Sequence, residues 1–136
     1  MTDDPARRAR NEATAAAMFA AVSAGDPEGQ LAHCADDLVY EALYYDLVRE
    51  GIDALRVMIG AVTERFDAVS YVPTAFIPAL DPDLVICEVQ GDHPVTGSDR
   101  RYRNRYLMLM QFRDGKVVHW RELSNPKEYE RAVLGR

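Results

Sequence analysis

YRNRYLMLMQFRDGKVVHWRELSNPKEYERAV, residues 102–133, is the stretch whose reading decides the fold. Asp114-Gly115 is the turn pair of a tight hairpin, because a type I′ turn needs positive φ at both central residues. The segments on either side, 100–113 and 116–124, are then antiparallel strands. Side chains alternate across a strand. Even positions of the first strand carry Tyr102, Asn104, Tyr106, Met108, Met110 and Phe112; odd positions carry Arg101, Arg103, Arg105, Leu107, Leu109 and Gln111. One face is aromatic and methionine-rich with a single amide, and the other is basic and then apolar. On the second strand Val118, Trp120, Glu122 and Ser124 share a face. Asn125-Pro126-Lys127-Glu128 reads as an N-cap, a first-turn Pro and a capping Glu, which opens a short helix over 126–134.

Working outward from this hairpin, residues 84–93 and 69–80 form two more strands around the turn triplet Asp81-Pro82-Asp83. Before them the period is helical. Ile52, Leu55, Ile59, Val62 and Phe66 step by three and four along one apolar face. Residues 38–48, LVYEALYYDLV, are β-rich and give one or two short strands. Residues 5–24 form an Ala-rich helix whose stripe is Ala9, Ala13, Ala16, Phe19 (or Ala20) and Ser23, widened by Met18 and Val22, and which ends at Gly25. A second short helix starts at Asp26-Pro27, with Leu31 and Cys34 (or Ala35) inward. Three helices, a short strand pair and four hairpin-connected strands define an α+β fold, a curved antiparallel sheet capped by helices. The space under the helices is a natural ligand pocket.

The 136 residues suit one domain over 1–136, 48% hydrophobic and 28% charged. A net charge of −6 argues against a nucleic-acid partner. No apolar run is long enough to span a membrane, and MTDDPARRAR lacks signal-peptide order, so a cytoplasmic protein is expected. Cys34 and Cys87 read as small buried side chains. No metal spacing, nucleophile triad, phosphate loop or dinucleotide fingerprint occurs. Cofactor-free acid/base chemistry is what remains, with no metal.

Three segments resemble the NTF2-like, SnoaL-like superfamily, and within it the phenazine-biosynthesis PhzA/PhzB-like branch: RNEATAAAMFAAV, ALDPDLVICEVQGDH, and the C-terminal hairpin with Asn104, Asp114-Gly115-Lys116, Arg121-Glu122 and Asn125. The resemblance implies the ketosteroid-isomerase-like cone fold. It also implies isomerase, cyclase, dehydratase or epoxide-opening chemistry of secondary metabolism, or non-catalytic binding. In that branch a glutamate on the last strand is the general acid/base, which falls on Glu122. A helix-three histidine of the branch falls on Met58.

The residues allow the same reading of Glu122. A carboxyl beside Trp120 on an inward face is poorly solvated, and desolvation raises its pKa toward the working pH; the other reading is a structural ion pair, for instance with Arg103 or with Arg121 of a neighbouring chain. Glu88, Gln90 and Asp92 share a face of the adjacent strand; if it is inward, Glu88 joins Glu122, and if outward it is a solvated sheet edge. His93, near the strand end, is either a pocket-mouth base or a surface residue. Tyr40 or Tyr44, with Asn104 and Tyr106, would orient a polar group; Met58, Met108, Met110 and Trp120 would hold a small apolar or aromatic ligand. The outer face, with Leu107 and Leu109 flanked by arginines, suits a homodimer.

Overall fold

The computed structural model describes residues 3–136. In chain order the elements are α1 (Pro5–Ser23), α2 (Pro27–Leu31), β1 (Cys34–Ala42), β2 (Leu47–Glu50), α3 (Ile52–Thr63), β3 (Tyr71–Ile77), β4 (Leu84–Pro94), β5 (Arg101–Arg113), β6 (Lys116–Leu123) and α4 (Pro126–Tyr129). The six strands form one sheet in the order β2-β1-β6-β5-β4-β3. This is the expected α+β architecture, a curved sheet with the N-terminal helices against its concave face. Adjacent strands are antiparallel except β1 and β6, which run parallel. That parallel seam has no local sequence signal; it places β6 inside the sheet, with partners on both sides.

The hairpin turn is as read: Asp114 and Gly115 have φ of 52° and 81°. Every even residue of β5 from Tyr102 to Phe112 is buried. On β6 the parity changes. A register shift between Gln111 and Phe112 sets Val117, rather than Val118, opposite Phe112 and into the core. Such a bulge inserts a residue and re-aims the side chains beyond it. Trp120 and Glu122 still share the inner face.

Helix α1 is capped by Asp4, whose side chain accepts from the Arg7 N–H at 3.0 Å. Its buried face is Asn11, Ala15, Met18, Phe19 and Val22. Ala9, Ala13 and Ser23 lie outside it, exposed. In an Ala-rich helix the small side chains define no stripe, and the larger ones decide which side packs. Asn11 is fully buried and donates to Pro82 O at 3.0 Å, tying α1 to the turn before β4. Helix α2 stops at Leu31, and Cys34 already belongs to β1. Helix α3 ends at Thr63, so Phe66 lies beyond it, bridged to Val95. The C-terminal helix is regular only through Tyr129 and widens into a π-type turn over Glu130–Leu134.

The main core joins Phe19 and Met18 of α1, Leu55 of α3, and Leu38, Val85, Met108 and Met110 of the sheet. Each such side chain contributes roughly 1.5–3 kcal/mol on burial. A second cluster, Phe66, Val95, Tyr102 and Ala132, closes one end of the sheet.

Candidate functional site

Between the helices and the concave face lies a cavity of about 370 Å³. Its sheet wall is Tyr40 and Ala42 of β1, Tyr102, Tyr106 and Met108 of β5, and Trp120 and Glu122 of β6. Its helical wall is Phe19 and Val22 of α1, Gln30 of α2, and Leu55, Met58 and Ile59 of α3.

Glu122 is placed by register. It stands level with Ala42 on one side and Met108 on the other, so aliphatic neighbours flank it along the sheet. Its side chain lines the cavity. Its Oε2 accepts a hydrogen bond from the Tyr40 hydroxyl at 2.7 Å. Desolvation raises the carboxyl from its ordinary value of 4.5 to about 7; the Tyr40 bond, which favours the ionised form, offsets only part of that. A carboxyl at about 7 is poised to give or take a proton near neutrality. Tyr40 itself, buried and beside that acid, has its hydroxyl pKa raised well above the phenol range, so it stays a donor. Its ring meets Trp120 edge-on, centroids 5.6 Å apart.

Of the remaining expected residues, Met58, Tyr106, Met108 and Trp120 line the cavity. Met110 does not: it is fully buried in the core behind the wall, one even position further along β5. Asn104 is likewise behind the wall. Its amide donates to the Tyr102 hydroxyl at 2.8 Å and to Asn125 O at 3.0 Å, and its Oδ1 accepts from the Arg105 and Asn125 N–H groups. It clamps β5 to the start of α4 instead of meeting a ligand.

Tyr44 is a correction. It is 63% exposed and borders a groove on the outer sheet face. A single turn of 3-10 helix over Leu43–Tyr45 breaks strand parity, and Tyr45 enters the cavity in its place. Glu88 is a second correction. On β4 the buried positions are Val85, Cys87, Val89, Gly91 and His93, so Glu88 points outward into that same groove, away from Glu122. His93 is neither at the mouth nor on the surface. It is fully buried, ringed by Phe66, Tyr71 and Tyr102 at centroid distances of 4.9, 4.7 and 5.7 Å. Its Nδ1 accepts from the Ser70 N–H at 3.0 Å, and burial lowers its pKa to about 4, so it is a neutral core residue.

Sequence reasoning missed the mouth. Tyr45, Tyr129 and Tyr102 meet in series with their rings perpendicular, and the Arg65 guanidinium lies 5.8 Å from the Tyr129 ring centre. The Tyr106 hydroxyl donates to that of Tyr102 at 3.2 Å. Tyr102 is readable from the sequence, since it has the same parity as Tyr106; Tyr45 and Arg65 come from turns and Tyr129 ends the four-residue helix α4, so none of the three carries a periodic signal.

A helix-capped curved sheet enclosing an apolar cavity with one desolvated carboxyl defines a small-molecule cone of the NTF2-like type. The SnoaL-like domain matches residues 15–120, and the chain belongs to that family. An uncharacterized PhzA/B-like protein of Pseudomonas aeruginosa is 34% identical over 74 residues, 54% of this chain and 49% of that protein, so the match spans about half of the relative. A putative isomerase from Bacillus subtilis shares the fold at a TM-score of 0.81, 23% identity and 96% of each chain. TerC, co-crystallized with polyporic acid, does so at 0.79 and 16% identity over 92% of this chain and 98% of that one. The superfamily is one of small-molecule enzymes and binders.

Proposed function

We propose that this chain is a cofactor-independent acid/base enzyme of the PhzA/B-like branch, an isomerase, cyclase or dehydratase of secondary metabolism. Its substrate is a small, flat, largely apolar organic molecule. The observation that carries the reading is Glu122: a carboxyl held at about 7 on the wall of a largely apolar cavity, with Tyr40 fixing one oxygen. Glu122 exchanges the proton. Trp120, Tyr106, Met108 and Met58 hold the ring system. TerC, which shares the fold, was co-crystallized with polyporic acid, and that supports a small organic ligand. In this reading the protein is cytoplasmic and works as a homodimer joined through the outer sheet face, where Leu107 and Leu123 border the open groove between Glu88 and Arg105.

The test is proton abstraction from 5-nitrobenzisoxazole, a flat aromatic whose ring opens when a base removes its C–H proton. The wild type should accelerate the opening with a rate that rises through pH 7, and Glu122→Gln should abolish the acceleration. An unaccelerated reaction, or one indifferent to Glu122→Gln, removes the enzyme reading. A non-catalytic binder would then lead, and one feature already favours it: Met58 stands where the branch carries its assisting histidine.

A further inference from the structure

The cavity's polar groups sort by whether the protein itself satisfies them. Tyr40 donates to Glu122, Tyr106 donates to Tyr102, and Thr63 donates to Gly60 O. Three lining groups differ, being buried without a hydrogen-bond partner among the described residues: the Trp120 Nε1, the Tyr129 hydroxyl and the Gln30 Oε1. Of these Gln30 alone belongs to the N-terminal helices, and it is 4% exposed. An amide so buried is normally paired. A core position facing only apolar neighbours would be served better by Leu or Met, because an unpaired buried amide lowers stability.

Gln30 reaches the cavity from α2, on the helical wall, whereas Glu122 comes from β6 on the sheet wall. Phe19 and Val22 of α1 and Leu55 of α3 share Gln30's wall and offer its side chain nothing to bond. A molecule filling the space therefore meets the acid on one side and the amide on the other, with aromatic and aliphatic surface between. A primary amide both donates and accepts, so it pairs equally with a hydroxyl or a carbonyl oxygen.

We propose that Gln30 is a ligand-orienting residue, and that the substrate is an aromatic compound carrying oxygen functions at two separated positions, one addressed by Glu122 and the other by Gln30. This rests on the ligand-pocket reading above and adds the second polar anchor. The amide sets which end of the molecule is presented to the acid; it takes no part in the proton transfer.

The probes are 2-naphthol, with one hydroxyl, and its 1,5-, 2,6- and 2,7-dihydroxy relatives. Occupancy is read from quenching of Trp120, the single tryptophan, which lines the cavity. In the wild type at least one diol should bind about three- to tenfold more tightly than 2-naphthol, the worth of one net hydrogen bond. In Gln30→Met, and in Gln30→Leu as a second variant, that preference should fall to within about twofold while 2-naphthol binds as before. The ligand-free variants should melt no lower than the wild type, whereas an amide that merely held the fold together would lower Tm. Absence of any diol preference in the wild type, its survival in both variants, or a lowered Tm in both overturns the assignment. Failure of 2-naphthol to quench Trp120 at all is a different result: it removes the ligand-pocket reading itself.

Discussion

Replacing Glu122 by Gln keeps the shape of the side chain and removes its titration. In the native protein the carboxyl is raised from 4.5 to about 7 by desolvation. Each tenfold change in a protonation equilibrium is worth about 1.4 kcal/mol, so the ionised carboxyl opposes folding by about 3 kcal/mol at high pH. The direction comes from proton binding. Between pH 4.5 and 7 the native state holds this proton more tightly than the unfolded chain does. The stabilising contribution is present below the unfolded pKa and is lost as pH rises through the native one. Glu122→Gln has no such slope. Above pH 7 the variant should therefore be more stable than the wild type by about 3 kcal/mol, the bond from Tyr40 being already contained in the net shift. That difference of about 3 kcal/mol corresponds to roughly 9–15 °C in Tm. At pH 4 the two proteins should nearly coincide. Urea denaturation followed by circular dichroism at pH 4, 6 and 8 measures the difference, and carbon-13 carboxyl titration gives the pKa directly. His93 is common to both proteins and cancels. A stability difference that does not change with pH, or a Glu122 resonance titrating at 4.5 or below, would refute the desolvation argument and the acid/base role built on it.

Three further outcomes are expected. His93, lowered from 6.5 to about 4 by burial, supports the fold when neutral; that support, up to about 3 kcal/mol, is lost as pH falls from 6.5 through 4. His93→Phe should flatten the acid limb of the stability profile, and an unchanged acid midpoint would count against it. A Cβ on Gly91 would come 2.8 Å from Cε2 of the Tyr106 ring, which is rigid and buried, so Gly91→Ala should destabilise by about 1–3 kcal/mol and weaken 2-naphthol binding. Thermal melts together with Trp120 quenching check both effects. Leu107→Arg on the outer face should convert a sedimenting dimer to a monomer with unchanged circular dichroism; a wild type that already sediments as a monomer removes the dimer.

The parts of this molecule legible from sequence are those fixed by local periodicity. The β5–β6 hairpin, the buried even face of β5 and the pairing of Trp120 with Glu122 come from alternation and a turn dipeptide. What was lost depended on interruptions of that alternation. The turn at Leu43–Tyr45 exchanged Tyr44 for Tyr45, and a bulge exchanged Val118 for Val117. Glu88 has two possible faces in the sequence because a mixed strand such as LVICEVQGDH carries apolar residues at both parities, and only its pairing with β5 decides. Asn104 has the parity of a pocket residue, but the return of the chain at Asn125 captures its amide. Gln30 carried no signal, since a single Gln on a five-residue helix reads as surface.

The parallel seam between β1 and β6 bears on how the protein comes into being. Tyr40 and Glu122 are 82 residues apart in the chain, and their strands meet only after β6 has been synthesised and docked. Pairings this distant close slowly, because the loop entropy precedes the reward. Until the seam closes, Glu122 is an ordinary water-exposed carboxylate; as it closes, the acid is enclosed and its affinity for a proton rises. Near neutrality the closing step is therefore coupled to proton uptake, and the rate at which this chain matures on or after the ribosome should carry a pH dependence written by the same side chain that gives the finished cavity its chemistry.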